Sequence, residues 1–154
     1  MSLFFDHNTL AEVILAAKDS PRLRKNLNFH PHNESQAHRL LNAFELGSYV
    51  PPHRHLDAEK DETMIVIKGR FGLVFFDDHG AITERAVLAA DANIGVTIPV
   101  GTYHTIFALE SGSVFFESKA GPYAPLTAEE KATWAPAEGT PEAAKYLQQL
   151  EALF

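Results

Sequence analysis

Two histidines one residue apart, His53 and His55, follow the paired prolines Pro51 and Pro52. Residues two apart in a strand point to the same face, so the two imidazoles can converge on one ion. Glu62 opens the next apolar run, and an antiparallel neighbour strand would bring its carboxylate beside them. Further on, Pro99, Gly101 and His104 place a third histidine at the start of another strand, just after a tight turn. Three neutral imidazoles and one carboxylate suit a divalent Fe, Mn, Ni, Zn or Cu. An octahedral ion on four protein ligands keeps two positions open for water or substrate.

Other polar clusters bear on the same chemistry. Asn26, Asn28 and His30 alternate on one extended face, which either lines a pocket or pins the N-terminal arm by hydrogen bonding. His30, Pro31 and His32 resemble a second metal pair, but the proline and the scarcity of nearby carboxylates favour a loop. Arg22, Arg24, Lys25, Arg39, Arg54 and Lys60 are the basic residues nearest the histidines in sequence. Guanidinium forks suit phosphates and carboxylates. Asn26, Asn28, His30, Arg39 and Arg24 are therefore the candidate substrate pocket, set against solvated charge in an acidic chain. Arg54 lies between His53 and His55 and must point away from their face. Lys119, Tyr123 and Trp134 read as packing of a C-terminal arm. Asp77, Asp78, His79 and Gly80 read as a hairpin turn, since calcium-loop spacing is missing.

The elements that must position these residues fall into three stretches. Residues 1–36 read as an N-terminal helix and arm: Thr9 and Glu12 have capping-box spacing, and Leu10, Val13, Ile14 and Ala17 form a helical stripe ended by Pro21. Residues 37–120 read as the barrel, with short apolar runs at 38–46, 62–68, 70–76, 82–88, 94–98, 104–109 and 113–119. Gly, Asp and Pro punctuate them, which indicates an all-β sandwich or barrel. Several runs are apolar on both faces, which calls for flanking helices or a second subunit. Residues 121–154 read as a C-terminal arm and helix. Thr127 and Glu130 repeat the capping spacing, and Thr140 with Pro141 opens a last helix bearing Ala143, Leu147, Leu150 and Phe154. The whole is one domain.

The motif residues carry a resemblance. Gly47, His53, His55, Glu62 and Gly69, followed by Pro99, Gly101 and His104, resemble the two signature motifs of the cupin superfamily. The spacer from His55 to Glu62 is longer than usual, and Glu59 fits the common spacing. Glu62 keeps the motif's step to Gly69 and starts a strand, which makes it the preferred carboxylate. The second motif's leading glycine is displaced, and Ala108 stands where it usually has Asn. A wider likeness, carried by stretches at 20–24, 26–30, 47–55, 60–62, 68–70, 121–123 and 134–136, is similar to the WbuC family of bacterial cupin-fold metalloproteins. Some of these are encoded among O-antigen polysaccharide biosynthesis functions. The resemblance implies a double-stranded β-helix of the cupin or jelly-roll type with short terminal helices, a metal on His53, His55, Glu62 and His104, a sugar-related setting and a homodimer.

Composition excludes several alternatives. At 154 residues, with 45% hydrophobic and 21% charged side chains, the chain can bury one core without disulfides. A formal charge of -7 argues against nucleic acid, which needs a positive face. With no cysteine, thiolate sites and cysteine nucleophiles are excluded. Asp6 and His7 interrupt the apolar start, and no stretch reaches the ~20 residues of a membrane span, so a cytoplasmic protein is expected. The functional expectations are a metal-dependent enzyme on a sugar or sugar phosphate such as an isomerase, an Fe(II)-type dioxygenase, or a non-catalytic ligand-binding module.

Overall fold

The computed structural model describes residues 4–154; of the apolar start, Met1, Ser2 and Leu3 lie outside the described residues. Two sheets face each other. The larger joins, in spatial order, β1 (Arg24–Asn28), β2 (Ala37–Phe44), β8 (Ser113–Ala120), β3 (Glu62–Lys68) and β6 (Gly95–Ile98). The smaller joins β5 (Ile82–Ala89), β4 (Arg70–Phe76) and β7 (Tyr103–Ala108), and all the pairings are antiparallel. Between the sheets lie Phe44, Met64, Phe71, Leu73, Leu88, Ile98, Ile106 and Phe115, all buried. Helix α1 (His7–Asp19) sets Val13 and Ala17 against Leu41, Ala43 and Val114 on the outside of the larger sheet. Helix α2 (Pro141–Glu151) sets Ala143, Leu147 and Leu150 against Val74, Phe76 and Phe107 on the outside of the smaller one. This is why runs such as 70–76 are apolar at successive positions: one face meets the barrel interior and the other meets a helix.

Three local expectations need correction. The N-cap of α1 is Asp6, whose carboxylate accepts from the backbone of Asn8 and Thr9 while Thr9 Oγ1 accepts from the Asp6 N–H. Thr9 is thus inside the first turn, and the capping box starts three residues earlier than its spacing to Glu12 suggests. Thr127 and Glu130 do bond each other, but only as a turn. The Glu130 carboxylate also accepts the Leu56 N–H, and the following backbone is drawn onto the barrel by Ala132 N–H donating to Pro52. Finally, residues 24–28 are not arm but an edge strand paired with β2. Thr140 and Pro141 open α2 as expected.

The register sorts the interior by polarity. His38 on β2, Lys119 on β8 and Glu62 on β3 stand abreast. One or two steps further in come Asn42 and Glu117, then Phe44 and Phe115. Each of these strands therefore presents polar groups at one mouth of the barrel and apolar packing at depth, aromatic on β2 and β8 and Met64 on β3. Gly69 makes the tight β3–β4 turn at φ +76°, where a Cβ would sit 2.9 Å from the Ser113 Cα.

Candidate metal centre

His53 lies outside the named strands but is bonded like a strand residue. Its N–H donates to the His104 carbonyl and the His104 N–H donates back, at 3.1 and 2.9 Å. A second bridge ties His53 to Lys131 on the C-terminal arm. The two rings come within 4.6 Å of each other as a result. His53 Nδ1 lies 3.0 Å from the Pro51 carbonyl and His104 Nδ1 lies 2.9 Å from that of Thr102. Each Nδ1 is therefore the protonated nitrogen, and each Nε2 lone pair is left for the interior.

Glu62 meets them there. The ligand-type atoms of His53, Glu62 and His104 all lie within 4.8 Å of one another. Glu62 Oε2 and His104 Nε2 are 3.2 Å apart, yet both are buried without a hydrogen-bond partner among the described residues. Buried polar atoms left unpaired cost stability, and two of them aimed at one point suit a cation between them. Two imidazoles and a carboxylate are also a donor set that borderline metals accept. His55 is close but engaged differently: its Nε2 lies 3.0 Å from Glu62 Oε1. The other carboxylate weighed from sequence, Glu59, is exposed in the 57–60 turn, where its N–H donates to Asp57. Glu62 is the carboxylate among the histidines.

Behind Glu62 is a charged row built on Lys119, a residue expected to pack the C-terminal arm. Lys119 Nζ lies 2.9 Å from Glu62 Oε1 and 3.0 Å from Glu117 Oε1, and Asn42 donates to Glu117 Oε2 at 2.7 Å. Burial opposes the Lys119 charge, but the Glu117 and Glu62 carboxylates outweigh it and hold the ammonium above its ordinary value. Burial likewise opposes the Glu62 charge, and the His104 and His55 imidazoles beside it, with the Lys119 charge, bring it well below the usual range. Glu117 goes up, because burial and the Glu62 charge together exceed the help from Lys119. His53 is pushed down to about 3, by burial first and by His104 second.

A cavity of about 600 Å³ opens beside His53 and His55. Its walls are largely Val50, Pro51, Pro52, Pro122, Leu126, Ala132 and Pro136. Its charged residues are five cations, Arg22, Arg24, Lys60, Lys119 and Lys131, against the single carboxylate of Glu138. Of the candidate pocket residues only Arg24 lines it. Arg24 and Arg22 are both paired with Glu138, at 2.7 and 2.8 Å. Burial raises the Glu138 carboxyl, but the two guanidiniums prevail and hold it at about 2. Asn26 and Asn28 are on the exposed edge strand, bonded to each other at 2.7 Å. Arg39 is exposed and alternates with the inward His38, so it points outward. His30 is buried against backbone, sharing Nδ1 with the Arg39 main chain and stacking on His38 at 3.9 Å between ring centroids. His38 is the imidazole that reaches the cavity; it stands well before the motif, so only strand register reveals it. His32 lies 3.4 Å from the Glu34 carboxylate on the surface, apart from the buried His30. Arg54 points away as required, over the Tyr103 ring and onto Asp78. Trp134 packs on Phe76, Tyr103 and the Gly80 turn, as a plug.

Comparison with known proteins gives the fold firmer footing. KdgF from Halomonas sp. superposes with a TM-score of 0.52 at 20% identity, over 69% of this chain and 85% of its own. A conserved protein of unknown function, SPY1581 from Streptococcus pyogenes, gives 0.53 at 11% identity over 80% and 91%. A cupin superfamily protein from Desulfitobacterium hafniense is a weaker likeness, at a TM-score of 0.49 and 12% identity over 63% of this chain and 76% of its own. The barrel is a cupin fold, and the His53–Glu62–His104 cluster occupies its mouth. No curated protein sequence matches the chain. No described helix is long and apolar enough to cross a membrane. Residues 5–88 match the model of a family described as a domain of unknown function, and this cupin-fold chain belongs to that family, DUF6016.

Proposed function

We propose that the chain is a metal-dependent cupin enzyme acting on a small, anionic, oxygen-rich substrate of the sugar or sugar-phosphate kind. The observation that carries the reading is the pair of orphaned atoms, Glu62 Oε2 and His104 Nε2, behind the His53 and His55 that line a cation-rich cavity in a chain of net charge -7. His53, His55, Glu62 and His104 would hold a divalent ion, which supplies a Lewis acid for a carbonyl or hydroxyl oxygen. His53 and His104 are oriented for this by the Pro51 and Thr102 carbonyls. His55 would exchange its bond to Glu62 for a ligand role. Lys119 keeps Glu62 ionised, the proline and alanine walls exclude water, and His38 is the imidazole placed to move a proton. The likeness to the WbuC family supports a place in polysaccharide biosynthesis in the cytoplasm.

Elemental analysis of the purified protein, followed by calorimetry of the metal-loaded form against sugar phosphates and nucleotide sugars, tests the reading. One bound divalent ion per chain and saturable binding of at least one class are expected. Metal-loaded protein that binds none of them sinks it. A second reading, an Fe(II)-type dioxygenase, is favoured by the apolar walls at Val50, Pro52 and Ala132. Oxygen consumption by iron-loaded protein with diols and diketones would separate the two. For assembly the reading includes a homodimer through the outer face of β3 and β6. Thr63, Ile65, Ile67 and Thr97 form an uncharged strip there, with both Ile at least 45% exposed. Light scattering at a single chain mass would refute it.

A further inference from the structure

We propose that Lys119 seats an oxyanion of the substrate, a carboxylate or a phosphate, beside the metal centre. The inference rests on the function proposed above and adds to it the residue that selects for charge. An ammonium has three donors in fixed directions. One of them donates to Glu62, Glu117 Oε1 lies 3.0 Å away as an ion pair without a hydrogen bond, and no other described residue accepts from the ammonium. Lys119 nevertheless lines the cavity together with His53, His55 and His38.

The other cations in reach are committed elsewhere. Arg22 and Arg24 share Glu138, Lys60 donates to the Pro122 carbonyl at 2.8 Å, and Arg54 faces Asp78. Lys131 is exposed, so water screens whatever it pairs with. Lys119 is the cation next to the imidazoles, and it is buried enough for a charged hydrogen bond to discriminate. Its anchoring matters as much as its charge. Held by two carboxylates, it presents its remaining N–H without the rotamer loss that a free lysine pays on binding. The register fixes the place: Lys119 is abreast of Glu62 on one side and His38 on the other. A substrate that reaches the metal past His38 therefore meets this N–H with the group next to its reacting oxygen.

The test compares zinc-loaded wild type, Lys119→Met, Lys119→Arg and the double variant Glu117→Gln/Lys119→Met. The double variant removes the buried carboxylate that Lys119→Met alone would leave unpaired, so it remains informative where the single variant folds poorly. Calorimetry is run with gluconate, glucose 6-phosphate and glucose, and zinc content is measured on each sample. Lys119→Met and the double variant should bind at least one anionic probe about tenfold or more weaker, the loss expected for one charged hydrogen bond. With zinc held at saturation, glucose binding should match wild type, and Lys119→Arg should keep the preference for charge. Loss confined to gluconate identifies a carboxylate, and loss confined to glucose 6-phosphate a phosphate. An unchanged anion preference in Lys119→Met and the double variant overturns the inference and leaves the proposed function standing. Equal weakening of all probes with zinc loss makes Lys119 a support for Glu62 alone and also overturns it. Wild type that holds zinc but binds no probe overturns both.

Discussion

Acidifying the metal-free protein from pH 7 to pH 5 isolates one ligand imidazole. His53 is pushed down to about 3 in the folded chain, mainly by burial, while in the unfolded chain it titrates at its ordinary value of 6.5. Within that window the unfolded chain takes up a proton that the folded chain refuses. The stability this ring contributes is therefore full above pH 6.5 and falls as pH falls. One such proton costs about 1.4 kcal/mol per pH unit, or about 2 kcal/mol by pH 5. Because His53 borders the cavity, water screens part of this, and about 1–2 kcal/mol is the working figure. Glu62 is shifted as well, but its contribution lies above 4.5 and is lost only at lower pH. His38, also lowered by burial, acts in the same window, so the comparison must be with His53→Asn. Urea denaturation in the presence of a chelator, at pH 7 and pH 5, gives the two differences. Wild type should lose about 1–2 kcal/mol more than His53→Asn, or roughly 2–8 °C in Tm. Parallel losses would refute the view that His53 is held neutral with its Nε2 bare. Zinc should oppose the loss in wild type, since metal and proton compete for one lone pair.

Other predictions test the frame around that site. Glu62→Gln should weaken zinc binding at least about tenfold, whereas Glu59→Gln, on the exposed turn, should leave it unchanged by titration against a chromogenic chelator. Gly69→Ala should cost about 2–4 kcal/mol in urea, from a left-handed backbone and the collision with Ser113. Glu138→Gln should cost about 1–2 kcal/mol at pH 7, after screening, by leaving Arg22 and Arg24 without their shared carboxylate. In wild type that contribution is complete above pH 4.5 and is lost as pH falls through about 2, so the variant should show a weaker acid dependence there.

Seven of the eight strands were legible because their apolar runs end at Gly, Pro and Asp, and the runs agree with the strands to within about two residues. The eighth, β1, reads Arg, Lys, Asn, Leu, Asn. An edge strand needs only one hydrogen-bonded neighbour and little burial, so it leaves no periodic signal. The three histidines were legible because their spacing is local to one loop and one turn. Lys119 was not, because its partners come from β3 and from its own strand's inward face, which only the register of β8 against β3 defines. The same holds for His38, whose role follows from facing Lys119. Arg39 illustrates the converse: its chemistry suited a substrate, but one step along the strand from His38 it faces the other way.

The bridges on either side of His53 bear on how the protein is made. One partner, His104, arrives about fifty residues after the ligand loop, and the other, Lys131, later still. During N-to-C synthesis the loop carrying His53 and His55 leaves the ribosome with neither neighbour to hold it. Its backbone pairing is complete only after residue 131 has been made. An ion that met the nascent chain earlier would find two tethered imidazoles and a carboxylate in no fixed arrangement. Loading with a metal, as proposed, would thus be a late event, set by the finished barrel.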